Sequence, residues 1–99
     1  MSLKRSSNQQ NLKQAIDRLL EAYGLKDKML QLDIISSWEQ LMGKAIARRT
    51  REMYFKDRIL YISLDSSVLR EELMMGKSKI IQLLNEKTGK ELISDIIFK

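Results

Sequence analysis

The 99-residue chain contains no histidine, no cysteine and no proline, and only four glycines. Without His or Cys the usual ligands of zinc, haem and iron–sulfur centres are missing, so no metal or other cofactor is expected. Neither a Ser-His-Asp triad nor a Cys-His pair can be assembled. A disulfide is impossible, so stability has to come from a packed core, as in a reducing compartment. Gly24, Gly43, Gly76 and Gly89 are isolated from one another. That spacing rules out a phosphate-binding P-loop, a dinucleotide fingerprint and the GXXG backbone clamp of ordinary KH domains. Apolar runs extend for only a few residues, far short of the ~20 that a membrane span needs. The N-terminus, Met1-Ser2-Leu3-Lys4-Arg5-Ser6-Ser7-Asn8, has no apolar h-region. No secretory leader is therefore expected, and the cytoplasm is the expected compartment.

What the sequence does contain fits one folded domain. Apolar residues make up 43% and charged residues 31%, the ordinary balance of a globular chain that can bury one modest core. Residues 1–10 are polar and basic and are expected as a flexible arm, with a single domain over residues 11–99. Leu12, Ala15, Ile16, Leu19, Leu20 and Tyr23 fall on one helical stripe. Ser7 or Asn8 is positioned to cap that helix, and Gly24 to end it as a left-handed residue. A second helix is expected from Asp27, as N-cap, to about Arg48, with Ile34, Ile35, Trp38, Leu41, Met42, Ala45 and Ile46 on its stripe. Ser36-Ser37 and Gly43 are weak helix formers inside it, where a kink or break is expected.

The period then changes. Thr50–Lys56 and Ile59–Asp65 read as two strands, with Leu60, Ile62 and Leu64 facing one way and Ile59, Tyr61 and Ser63 the other. The short polar Lys56-Asp57-Arg58 makes them a hairpin, although Asp57-Arg58 is not the favoured Asp-Gly turn. Asp65-Ser66-Ser67 supplies an N-cap for a third helix over about Val68–Lys87, with Leu69, Leu73, Ile80, Ile81 and Leu84 buried and Gly76 a weak point within it. Thr88-Gly89-Lys90 closes it, and Leu92–Phe98 reads as a third strand. The order α-α-β-β-α-β predicts an α+β fold: a three-stranded sheet covered by helices on one face.

Net charge is +5, and most of it is local. Lys44, Arg48, Arg49, Arg51, Lys56 and Arg58 are opposed in their window only by Glu52 and Asp57, leaving +4 within fifteen residues. Lys44 and Arg48 share a helix face at i, i+4. Backbone phosphates are bound by several cations in one region, each contact releasing counterions, and Arg adds bidentate geometry. These six residues are the candidate nucleic-acid site, with Tyr54 and Tyr61 available to stack bases if they point outward from the sheet. The bland alternative is a solvated face. Trp38 falls within an apolar stripe and reads as a core or interface anchor. Of the adjacent Met74 and Met75, one is expected on the surface as a partner contact. Glu71, Glu72 and Asp95 show no acid–base arrangement, so no enzyme is expected.

The segment Trp38-Glu39-Gln40-Leu41-Met42-Gly43, followed by Ala45, Ala47 and Thr50, resembles the core motif of the DciA-like family. Leu60-Tyr61-Ile62 resembles its hairpin strand, and Asp65-Ser66-Ser67-Val68-Leu69-Arg70-Glu71-Glu72-Leu73 the start of its next helix. Leu84-Asn85-Glu86, Gly89, Ile93 and Ile96 resemble its closing helix and strand. The resemblance covers roughly residues 12–99. It implies a KH-like domain without a GXXG loop, in a bacterial protein that binds DNA, single- or double-stranded, and assists loading of the replicative helicase. Longer members add a disordered extension that these 99 residues do not include, and where members often have Pro this chain has Glu52-Met53. A protein–protein module without nucleic-acid contact, and an RNA-binding KH-like protein, are the alternative readings.

Overall fold

In the computed structural model the backbone is described for residues 2–99 and the side chains for residues 11–99. The flexible arm expected over residues 1–10, and the capping role of Ser7 or Asn8, lie outside the fully described residues. The helices are α1 (Ser2–Ala22), α2 (Lys26–Ser36), α3 (Trp38–Met42) and α4 (Lys44–Arg49), then α5 (Ser67–Met75) and α6 (Lys77–Thr88). The strands are β1 (Thr50–Lys56), β2 (Ile59–Leu64) and β3 (Asp95–Phe98).

The first helix ends as its glycine requires. Gly24 has φ +67°, its N–H bonds to the Glu21 carbonyl at 3.1 Å, and Leu25 N–H reaches the Leu20 carbonyl at 2.7 Å, the paired bonds of a Schellman motif. The expected second helix is instead three. Its N-terminal boundary residue is Leu25, which offers no side-chain cap, so Asp27 sits inside the first turn and not at the cap. It breaks at Ser37 and again at Gly43, whose φ 92° and ψ 164° lie in a region open essentially to glycine alone. A Cβ built on Gly43 meets nothing within 4 Å, so backbone conformation, not crowding, reserves that position for Gly.

The third helix divides into α5 and α6 at Gly76. Its start is as expected: the Ser66 side chain accepts from Leu69 N–H at 3.2 Å, satisfying an orphan donor. Gly89 is left-handed at the end of α6.

The sheet order is β1-β2-β3. β1 and β2 are antiparallel, with Tyr54 opposite Tyr61 and Lys56 opposite Ile59; β2 and β3 are parallel. Parallel neighbours need a crossover, and α5–α6 provides it. Asp57 takes the hairpin turn with φ 58°, a value that Asp tolerates better than most residues, and Gln31 Nε2 donates to its carbonyl at 2.8 Å. The third strand begins at Asp95, not Leu92. Both Leu92 and Ile93 are buried. However, the Asn85 amide takes the place of a strand partner, donating to the Ile93 carbonyl and accepting from Ile93 N–H.

One face of the sheet carries the core. Leu60, Ile62, Leu64, Ile96 and Phe98 are buried against Ile34 and Trp38 from α2–α3, Leu73 from α5, and Ile80 and Leu84 from α6. Met53 and Phe55 of β1 complete it, half-buried. No such burial occurs along α1: Leu12, Ile16, Leu19 and Tyr23 are 62%, 47%, 54% and 72% exposed. Among the described residues no helix is long and apolar enough to cross a membrane.

Candidate nucleic-acid interface

The corner where α4 hands over to β1 is built around a part-buried hydrogen-bond chain. Trp38 Nε1 donates to Thr50 Oγ1 at 3.0 Å, and that hydroxyl donates in turn to the Ile46 carbonyl at 2.8 Å. The Trp indole, the last turn of α4 and the first residue of β1 are thereby locked together, which accounts for Trp38 and Thr50 occurring in one motif. Gly43 starts α4 in a direction no other residue would permit. Together they fix the backbone that presents Lys44, Arg48, Arg49 and Arg51.

Arg51 occupies a β-bulge. Thr50 pairs with Leu64 and Glu52 with Ser63, so Arg51 is the extra residue of β1. Bulges redirect a side chain, and this one sends the Arg51 guanidinium to Asp65. Arg49 reaches the same carboxylate at 3.8 Å, while Asp65 N–H donates to the Arg49 carbonyl at 2.9 Å. The Asp65 side chain is only 23% exposed, whereas the two Arg side chains are 61% and 66% exposed. Ion pairs this open add little stability, so their main effect is to orient the guanidinium forks. Each fork has five donors, and most remain directed to solvent.

The six sequence-predicted cations do not form one patch. Lys44, Arg48, Arg49 and Arg51 gather at the start of β1. Lys56 is the last residue of β1, about 16 Å along the strand from Arg51 at ~3.3 Å per residue, and Arg58 lies in the turn that follows. Arg58 is also engaged, donating to the Glu91 carbonyl. Among the described residues Lys44, Arg48 and Lys56 make no ion pair.

One cation escaped the sequence reading. Arg70 of α5 approaches the Leu64 carbonyl at 3.5 Å, beside Asp65, and its buried Nε has no hydrogen-bond partner. Only its place five residues after Asp65, in the first turn of the helix that Ser66 caps, hinted that it would return to this corner. Lys44, Arg48, Arg49 and Arg51 outnumber Asp65, so the corner keeps a positive excess.

Tyr54 and Tyr61 do point outward, on the face opposite the core, and they stack on each other with ring centroids 4.9 Å apart and planes 5° from parallel. Lys99 Nζ lies 5.3 and 5.1 Å from the two ring centres and donates to the Tyr54 hydroxyl at 2.9 Å. That hydrogen bond holds the Lys99 ammonium above its usual pKa. On the same face Asp95 is lowered below the usual carboxylate range, first by the hydrogen bond from Lys77 and then by Ile96 N–H. Met74 and Met75 are both exposed, at 53% and 86%, where one of the pair was expected to be.

Comparison with known proteins bears on these residues. No solved structure matches the chain. A UPF0232 protein of Corynebacterium glutamicum (strain R) is 36% identical over 63 residues, which cover 64% of this chain and 35% of that protein. The chain thus spans well under half of the relative's length. The family model described as "Dna[CI] antecedent, DciA" matches residues 11–98, a range that includes every element from the described part of α1 to β3. That family is linked to helicase loading in DNA replication. With nearly its whole length matched, and with Trp38, Gly43 and Thr50 in defined structural roles, the chain belongs to the DciA family.

Proposed function

We propose that this chain is a non-enzymatic DNA-binding accessory protein that assists the replicative helicase, built on a KH-like domain. The observation that carries the reading is the α4–β1 corner: Lys44, Arg48, Arg49 and Arg51 on one support, with Asp65 orienting Arg49 and Arg51. Phosphates of a DNA strand would be held there. Lys56 and Arg58 form a second contact along β1, and the outward Tyr54–Tyr61 pair lies between the two ends. A strand running along β1 could touch both cationic groups and place bases near the aromatic pair. The turn at Gly76 offers only one glycine, so backbone clamping of the GXXG kind plays no part.

The test is fluorescence anisotropy with labelled DNA at two salt concentrations. Wild type should bind with affinity that falls steeply as salt rises, by counterion release. The Arg48→Glu/Arg49→Glu/Arg51→Glu variant should lose at least ten-fold in affinity and most of the salt slope. Equal binding by the variant overturns the reading. A second reading, a protein–protein module, is favoured by the exposure of Met74 and Met75. Recovery of the helicase after nuclease treatment, lost in Met75→Glu, combined with no DNA binding by wild type, would replace the first reading with the second.

A further inference from the structure

The apolar stripe of α1 is the largest feature that the DNA-binding reading leaves unused. Leu12, Ile16, Leu19 and Tyr23 follow one another at spacings of four, three and four. That is the d-a-d-a sequence of a coiled-coil seam, with Leu at both d positions and β-branched Ile at a central a position, the combination that favours two strands. The flanking positions are Lys13, Ala15, Leu20 and Ala22. Lys13 is the one charge beside the seam, and the two alanines allow close approach of a second helix.

Among the described residues nothing covers this face. All four seam residues are 47–72% exposed, and α1 contributes no residue to the core. Complete cover of these four residues in both copies would bury at most about 1,000 Å², the least that a specific interface needs, so pairing is expected to depend on concentration. A seam of this composition is complementary to itself, and pairing each patch with its own copy gives a closed two-fold dimer.

We propose that α1 is a homodimerisation helix, pairing with α1 of a second copy of this chain through Leu12, Ile16, Leu19 and Tyr23. Sedimentation of the 99-residue chain tests this from about 2 to 200 µM, because dimer formation follows mass action. The mass should rise from 11.6 kDa towards twice that value. The Ile16→Gln/Leu19→Gln variant should stay monomeric throughout. Gln keeps helix propensity, and neither site contributes to the core, so the variant's Trp38 fluorescence and urea midpoint at low concentration should equal wild type. Wild type that remains monomeric over the whole range, or a variant that dimerises as wild type does, overturns the proposal. DNA binding is not needed for either result.

Discussion

Helices α1 and α6 carry similar apolar stripes and meet opposite fates. On α6, Ile80 and Leu84 are 7% and 0% exposed; on α1, Leu12, Ile16, Leu19 and Tyr23 are 47–72% exposed. Connectivity explains the difference. α6 belongs to the crossover that must return the chain from β2 to its parallel neighbour β3, so its apolar face is laid on the sheet. α1 is attached through the Gly24 turn, and α2–α3 already occupies that end of the core with Ile34 and Trp38. An amphipathic pattern therefore specifies that a helix has a face to cover; the order of the elements decides whether the chain itself can cover it.

The strongest way to break this comparison is to truncate a buried α6 residue. Leu84→Ala should cost about 2–5 kcal/mol in urea-induced unfolding, because the cavity lies between α6 and the sheet and cannot collapse fully. A loss below about 1 kcal/mol would mean that α6 is no better packed than α1. Next in size is Thr50→Val, which keeps the side-chain shape and removes the hydroxyl that accepts from Trp38 Nε1. It strands a buried indole N–H and should cost about 1–3 kcal/mol. Trp38 emission should report the change, and the same variant should weaken DNA binding less than the triple Arg→Glu change, since it loosens the corner without removing a charge.

Most of the fold was legible because its signals are local. Ser66, Gly24 and Gly89 act through their own backbone neighbourhoods, and the alternation of Leu60, Ile62 and Leu64 marks a half-buried strand directly. The breaks within the long second helix were legible as weak points at Ser37 and Gly43, but their sharpness depends on ψ at Gly43, which no propensity encodes. The start expected for β3 at Leu92 failed for a non-local reason: Asn85, eight residues from Ile93, satisfies the backbone that the ladder would have used. Of the candidate site, the local charge was legible in composition and its spread in space was not. Fifteen residues look compact in sequence, yet a strand rises ~3.3 Å per residue and carries Lys56 and Arg58 away from Arg51. Asp65 lies outside the window and was invisible to a count of its charges, although it orients Arg49 and Arg51.

The smallest predicted effect is the one that sharpens the comparison most. Leu19→Ala on α1 removes the same atoms as Leu84→Ala, and Ala is the better helix former. Leu19 is 54% exposed in the single chain. At protein concentrations where the chain is monomeric, the urea midpoint should move by no more than the equivalent of about 0.5 kcal/mol. The two substitutions thus share their chemistry and differ only in what surrounds the leucine. Repeating the Leu19→Ala measurement at rising protein concentration separates the two causes of exposure. If α1 pairs with its copy, wild type gains stability with concentration and the variant gains less, so the gap opens as the second chain supplies the cover that the first cannot. A gap that is already several kcal/mol at the lowest concentration would place Leu19 in the core of the single chain and remove the contrast between α1 and α6.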